Sequence, residues 1–128
     1  MRLLLDTHTF LWFVLNDSKL SRVADALITD PRNDVLISPA TYWEIAIKVG
    51  KQTLDLLAPY DDVMRRGIQG NDFEILPIAP WHTSLLTWLP MHHRDPFDRL
   101  LIAQAHYEGI PIVSVDDQFD AYPIHRIW

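Results

Sequence analysis

The chain carries seventeen acidic residues and no cysteine, so oxygen rather than sulfur is its metal-binding chemistry, and neither a thiolate zinc site nor a cysteine nucleophile can be built. Four acids stand at telling places. Asp6 ends the apolar run Arg2-Leu3-Leu4-Leu5, and Asp116 ends the run Ile112 to Val115. Glu44 lies inside Ala40-Thr41-Tyr42-Trp43-Glu44-Ile45-Ala46-Ile47, one of only three glutamates in the chain, and Asp98 lies in the first turn after Asp95-Pro96. In an open parallel sheet ligands bind at the carboxyl ends of the strands, and neighbouring strands are about 4.8 Å apart. Carboxylates at two adjacent strand ends are therefore close enough to share a cation. Crowded carboxylates repel one another and hold their protons unless a cation sits among them. An all-oxygen set selects Mg²⁺ or Mn²⁺, and hydrolysis of phosphate esters is the usual work of such a site.

Taken singly, each acid also has a plainer reading. Glu44 reads alone as a surface glutamate paired with Lys48 at i+4, worth about 0.3–0.5 kcal/mol. Asp95 as N-cap, Pro96 at N1 and Asp98 at N3 read as a capped helix start. Asp117 beside Asp116 leaves the register of the last acid open.

The elements that must position these residues follow from periodicity. Arg2 to Asp6 reads as a strand and Thr7 to Leu15 as a helix; Ser21 to Thr29 is a second helix and Val35 to Ser38 a second strand. Pro39 opens a helix over Ala40 to Val49, and another runs from about Tyr60 to Gln69. Phe73 to Leu76 is a strand, Pro80 to Leu89 a short helix, and Met91 to Arg94 a loop. Asp95-Pro96 opens a strong helix to Glu108, closed by Gly109; Pro111 to Val115 is a strand, and Ile124 to Trp128 adds a last one. Apolar strands between helices, without strict alternation, predict an α/β fold of three layers, α/β/α, around a mostly parallel sheet. At 128 residues the chain reads as a single domain, 1–128.

Composition narrows the partners. A formal net charge of −6 excludes a surface that attracts polyanions everywhere, so any nucleic acid must be gripped locally. Asp6 and His8 interrupt the N-terminal apolar run, so it reads as mature protein and not as a signal peptide. No run reaches the ~18 apolar residues of a membrane span, and the absence of cysteine agrees with a cytoplasmic location.

At these residues the sequence resembles the PIN-domain ribonucleases, in particular the VapC-type toxins of type II toxin–antitoxin modules. Four ordered blocks carry the resemblance: Leu4-Leu5-Asp6-Thr7-His8, Ser38-Pro39-Ala40 through Trp43-Glu44-Ile45-Ala46-Ile47-Lys48, His93-Arg94-Asp95-Pro96-Phe97-Asp98-Arg99-Leu100-Leu101-Ile102-Ala103-Gln104-Ala105, and Val113-Ser114-Val115-Asp116. The resemblance implies that Asp6, Glu44, Asp98 and Asp116 form an acidic quartet binding Mg²⁺ or Mn²⁺, one ion or two. Asp95 then assists or only caps, and the Ser114 hydroxyl orients Asp116. It further implies a PIN-like fold and an endoribonuclease in which a metal-activated water attacks an RNA phosphodiester, leaving 5′-phosphate and 3′-hydroxyl ends. The implied partners are RNA, a cognate antitoxin and a second copy in a homodimer.

His92-His93 lacks the spacing of a zinc hydrolase; His93 and Arg94 are expected at the rim of the acidic pocket, where Arg94 and Arg99 meet a phosphate or, for Arg99, a helix-face acid. Trp12, Trp43, Trp81 and Trp88 are expected in the core or at an interface, with a groove near Trp12 and Trp43 suited to an antitoxin. Two other readings stay open: a catalytically silent binding domain on the same fold, and a phosphoacceptor receiver, which would show an adjacent acidic pair where this chain has Asp6-Thr7-His8.

Overall fold

The computed structural model describes residues 1–128. β1 (Arg2–Leu5) feeds α1 (Thr7–Val14), and α2 (Arg22–Thr29) leads to β2 (Asp34–Ile37). Next come α3 (Pro39–Gly50), α4 (Tyr60–Ile68) and β3 (Glu74–Ile75), then α5 (Pro80–Leu86), α6 (Pro96–Glu108), β4 (Ile112–Val113) and β5 (Arg126–Ile127). The sheet order is β3-β2-β1-β4-β5, with every pair parallel. The expected α/β architecture is thus present, with a sheet that is wholly parallel.

Successive strand residues point to opposite faces, and both faces are covered. Leu3 and Leu5 of β1, Val35 and Ile37 of β2 and Val113 of β4 pack with Phe10, Ile28, Ile45 and Val63 of α1 to α4. Leu4, Leu36 and Ile112 point the other way, onto Leu101, Ile102 and Ala105 of α6. This two-sided burial is why the strands read as continuous apolar runs.

The strand order reverses at β1. From it the chain first builds outward through β2 and β3, and then returns to lay β4 on the opposite side of β1. The crevice between the carboxyl ends of β1 and β4 is therefore the switch point where α/β sheets bind ligands. Leu5 pairs with Val113, and the Asp6 N–H donates to the Val113 carbonyl at 3.2 Å. This register sets Asp6 beside Ser114.

Four elements are markedly shorter than the sequence suggests, among them the last strand, which keeps only Arg126 and Ile127 of the expected Ile124 to Trp128. β4 stops at Val113 because the Ser114 hydroxyl accepts the Asp116 N–H at 3.0 Å, bending the chain out of the sheet. The Asp116 carboxylate then accepts the Gln118 N–H at 3.0 Å and caps a 3₁₀ turn over Asp117–Ala121, which sequence reading did not anticipate. α5 ends at Leu86 instead of Leu89: the Thr87 hydroxyl donates to the Ser84 carbonyl at 2.7 Å, and the Trp88 N–H donates to Leu85 across a tightened last turn. β3 keeps only Glu74 and Ile75 of the expected Phe73 to Leu76. No helix is long and apolar enough to cross a membrane.

Candidate metal centre

Asp6 is the N-cap of α1. Its Oδ1 accepts the Thr9 N–H at 2.8 Å and its Oδ2 accepts the Ser114 hydroxyl, so both oxygens are held while the residue is 4% exposed. Burial pushes its carboxyl above the usual range, against the hydrogen bonds from Ser114 and Thr9 and the charge of His8. Ser114 thus braces Asp6 through its hydroxyl and takes the Asp116 N–H on the same oxygen, tying the ends of β1 and β4 together.

Asp98 and Asp95 divide the work at the start of α6. Asp95 Oδ1 accepts the Phe97 and Asp98 N–H groups at 2.8 and 3.2 Å, which makes Asp95 the helix cap. The Asp98 carboxylate makes no such backbone bond and is pushed up to about 7. Burial is the largest cause and the Asp95 charge next; His93 opposes, and the charges of Glu44 and Asp6 raise it further. Asp117 is exposed, whereas Asp116 turns back toward the cluster.

Glu44 departs from its surface reading. Ala40, Thr41, Glu44 and Ile45 form the buried stripe of α3, so the glutamate lies on the face toward the sheet and is only 5% exposed. It also keeps the expected partner: Oε2 lies 2.7 Å from Lys48 Nζ, and Oε1 accepts the Thr7 hydroxyl at 2.8 Å. The spacing of Glu44 from Ala40 and Ile45 carried this signal.

His93 is not at the rim. It is buried, with Nε2 3.0 Å from Asp116 Oδ2 and 3.2 Å from Asp98 Oδ2, and the ligand-type atoms of these three residues all lie within 4.8 Å of one another. Its Nδ1 accepts the Asp95 N–H at 3.3 Å, an arrangement that leaves the proton on Nε2, aimed at the two carboxylates. In that tautomer His93 draws Asp98 and Asp116 together as a donor, and the three residues form the group whose ligand atoms could hold a metal ion. The ring lies 5.6 Å from Phe119, and the His93 backbone N–H donates to the Tyr122 hydroxyl at 2.8 Å.

Arg99 meets neither a phosphate nor an acid. It is buried, donating to the Pro90 and Leu89 carbonyls at 2.9 and 3.1 Å, while Tyr122 donates to Pro90 at 2.7 Å. These bonds hold the loop that carries His93. Arg94 is exposed and free of acidic partners. The tryptophans are not core residues: Trp43, Trp81 and Trp88 are each more than half exposed, and Trp12 is half-buried against Trp128 and His8.

Size does not mark the site. A hollow of about 470 Å³ lined by Phe13, Ile28, Asn33, Asp34 and Asp72 lies at the amino end of β2, away from the strand ends that carry the cluster. Chemistry marks it instead. Asp6, Asp98 and Asp116 supply only hard oxygens, two of the three hold their protons unusually tightly, and Asp98 and Asp116 are partly exposed to an entering ion. That donor set fits a divalent cation of the Mg²⁺ or Mn²⁺ kind.

The family model described as PIN domain matches residues 3–124. No curated protein matches the chain. Among solved structures it is similar to VapBC2 from Rickettsia felis bound to a promoter DNA fragment, at 18% identity and a TM-score of 0.67 over 99% of this chain and 98% of that one. It is also similar to VapBC-5 from Mycobacterium tuberculosis, at 22% identity and a TM-score of 0.57 over 98% of both chains. VapC20 of the same organism, a Sarcin-Ricin loop cleaving toxin, matches at 16% identity and a TM-score of 0.61 over 93% of both chains. At such identities the likeness speaks for the fold alone, but with the family model spanning nearly the whole sequence the chain belongs to the PIN domain family, with VapC toxins among its structural relatives.

Proposed function

We propose that residues 1–128 form a single PIN domain acting as a Mg²⁺- or Mn²⁺-dependent endoribonuclease, the toxin of a type II toxin–antitoxin pair. The observation that supports this reading is the grouping of Asp98 and Asp116 with His93 within 4.8 Å at the carboxyl ends of β1 and β4, with Asp6 tied to Asp116 through Ser114 and Asp98 raised to about 7 by burial and by the surrounding acids. In this reading Asp6, Asp98 and Asp116 hold the ion, and Glu44 completes the acidic quartet from α3. The bound cation would lower the pKa of water and neutralise charge developing on the phosphate. The chain's own residues do the rest. Thr9 and Ser114 fix the Asp6 oxygens, Asp95 spares Asp98 from capping, and His93 holds Asp98 against Asp116. Arg94, exposed beside His93, is the local cation available to a phosphate on an otherwise acidic protein.

The partners in this reading are RNA, an antitoxin and a second copy of the chain. Trp43 is 59% exposed, edge-on to Phe97 at 5.1 Å, and neighbours both Glu44 and Asp98 through these two helix positions. That aromatic step beside the acids suits an antitoxin segment covering the site.

The test is cleavage mapping of RNA with wild-type and Asp6→Asn protein, with and without Mn²⁺. Cleavage that needs the metal and disappears in the variant supports the assignment. Equal cleavage by the two proteins, or cleavage that persists in excess EDTA, overturns it. Antitoxin binding with no cleavage under any condition favours the silent binding domain.

A further inference from the structure

The Glu44–Lys48 contact lies at the edge of the acidic quartet and differs from a surface ion pair in three ways. The carboxylate side chain is 6% exposed while the ammonium side chain is 43% exposed, so the acid is fixed and the cation reaches it from solvent. Both Glu44 oxygens are engaged, Oε1 by the Thr7 hydroxyl at 2.8 Å and Oε2 by Lys48 Nζ at 2.7 Å. Finally, Thr7 follows Asp6 directly, so the hydroxyl that fixes Glu44 and the carboxylate proposed to hold an ion come from adjacent residues at the start of α1.

We infer that Lys48 is a built-in cation that takes the place of a second divalent ion, so that the centre binds one metal and not two. This rests on the metal-dependent reading above. A second ion of a paired site sits ~3.5–4 Å from the first and needs a carboxylate oxygen of its own. Of the quartet, Asp98 and Asp116 converge on each other and Asp6 is bound to Ser114 between the strand ends, which leaves Glu44 as the remaining acid. Its outer oxygen already faces a positive charge. An entering divalent ion would have to displace the ammonium or accept its repulsion at close range. Lys48 thereby acts through Glu44 as a positioning residue: it holds the outer Glu44 oxygen at 2.7 Å and sets the stoichiometry.

The test is a titration of the whole protein with Mn²⁺, counting bound ions by calorimetry and by the electron paramagnetic resonance of free Mn²⁺. The proteins are wild type, Lys48→Met, Lys48→Arg and Lys48→Met/Glu44→Gln. Wild type and Lys48→Arg are expected to bind one ion. Lys48→Met is expected to bind two, the second tightened on the order of a hundredfold or more, and the double variant to return to one. Lys48→Met leaves the buried Glu44 carboxylate without its cation and should lower stability, so a melting curve for each variant checks that it is folded, and the double variant removes that unpaired charge. Two ions in wild type, or one in folded Lys48→Met, overturns the inference and leaves the nuclease reading standing. No ion in wild type overturns both.

Discussion

Replacing Asp98 with Asn should stabilise the metal-free protein most at pH 8, less at pH 5 and hardly at all below about pH 4. The folded state holds the Asp98 proton up to about pH 7, whereas the unfolded chain releases it near the ordinary value of 3.8. Between those values the folded state binds more protons than the unfolded state, so stability falls as pH rises from about 4 to about 7. The full difference corresponds to about 4 kcal/mol at pH 8. A side chain 21% exposed retains some solvation, so a working figure is about 2–3 kcal/mol. Asparagine gives up the favourable charge at the start of α6, worth about 0.3–1 kcal/mol, but keeps an oxygen that accepts from His93. A net gain of about 1–3 kcal/mol remains at pH 8, or several degrees in Tm. Denaturant melts of both proteins in EDTA at pH 5 and pH 8 measure it. In Mn²⁺ the order should reverse, because only wild type keeps the full ligand set: an ion at about a thousand times its Kd adds about 4.1 kcal/mol. A variant less stable than wild type at pH 8 in EDTA, or one that gains as much from Mn²⁺ as wild type, would refute the reasoning.

Asp6→Asn should lose at least a thousandfold in RNA cleavage while its stability stays within about 1 kcal/mol of wild type, since the amide still accepts from Thr9; cleavage rates and melting curves on one preparation check both. Gly67→Ala should destabilise by about 1–3 kcal/mol. A Cβ there would lie 2.8 Å from Cγ1 of Val14 and 3.2 Å from Phe10, driving α4 off α1, and combining it with Val14→Ala should restore part of the loss in denaturant melts. Arg99→Met should cost about 2–3 kcal/mol, because the buried Leu89 and Pro90 carbonyls lose their charged donor. Faster amide exchange at residues 91–95 should accompany that loss.

How far the fold could be read in advance depended on the range of the forces involved. Strands such as Leu3-Leu4-Leu5 and Val35-Leu36-Ile37 announce themselves because burial on both faces demands apolar residues at every position. The helix starts at Ser38-Pro39 and Asp95-Pro96 follow from local capping chemistry, and both caps are present. The edge strands were overextended: two-residue pairings such as Glu74–Ile75 are set by their neighbours in the sheet and leave no period to detect. The same limit governs the site. Asp6 and Asp116 were visible as acids ending apolar runs. The position of His93 inside the cluster depends on Tyr122, Phe119 and the Arg99 carbonyl bonds, all contacts between distant segments. Arg99, a charged residue five places after Arg94, reads in sequence as a surface group, and only the tertiary fold brings the Leu89 and Pro90 carbonyls to it. Of the two settings expected for Trp12, Trp43, Trp81 and Trp88, core or interface, the core does not hold, since three of them face solvent.

The energetics of the centre explain why so many of its supports are neutral or already spoken for. A protein that ionised Asp6, Glu44, Asp98 and Asp116 together without compensation would lose several kcal/mol of a total stability of about 5–15 kcal/mol. The fold spreads that cost. Ser114 and Thr9 give Asp6 two hydrogen bonds, Lys48 and Thr7 hold Glu44, and His93 offers a single N–H to the pair formed by Asp98 and Asp116. Asp98 is left as the least compensated member, and its raised pKa records that remainder. Full compensation by a second buried cation would have stabilised the metal-free chain but filled the place an ion needs. Leaving one carboxyl poised near neutrality keeps the apoprotein folded while preserving a strong preference for a divalent guest, so stability and metal affinity are set by the same residue and must change in opposite directions when it is replaced.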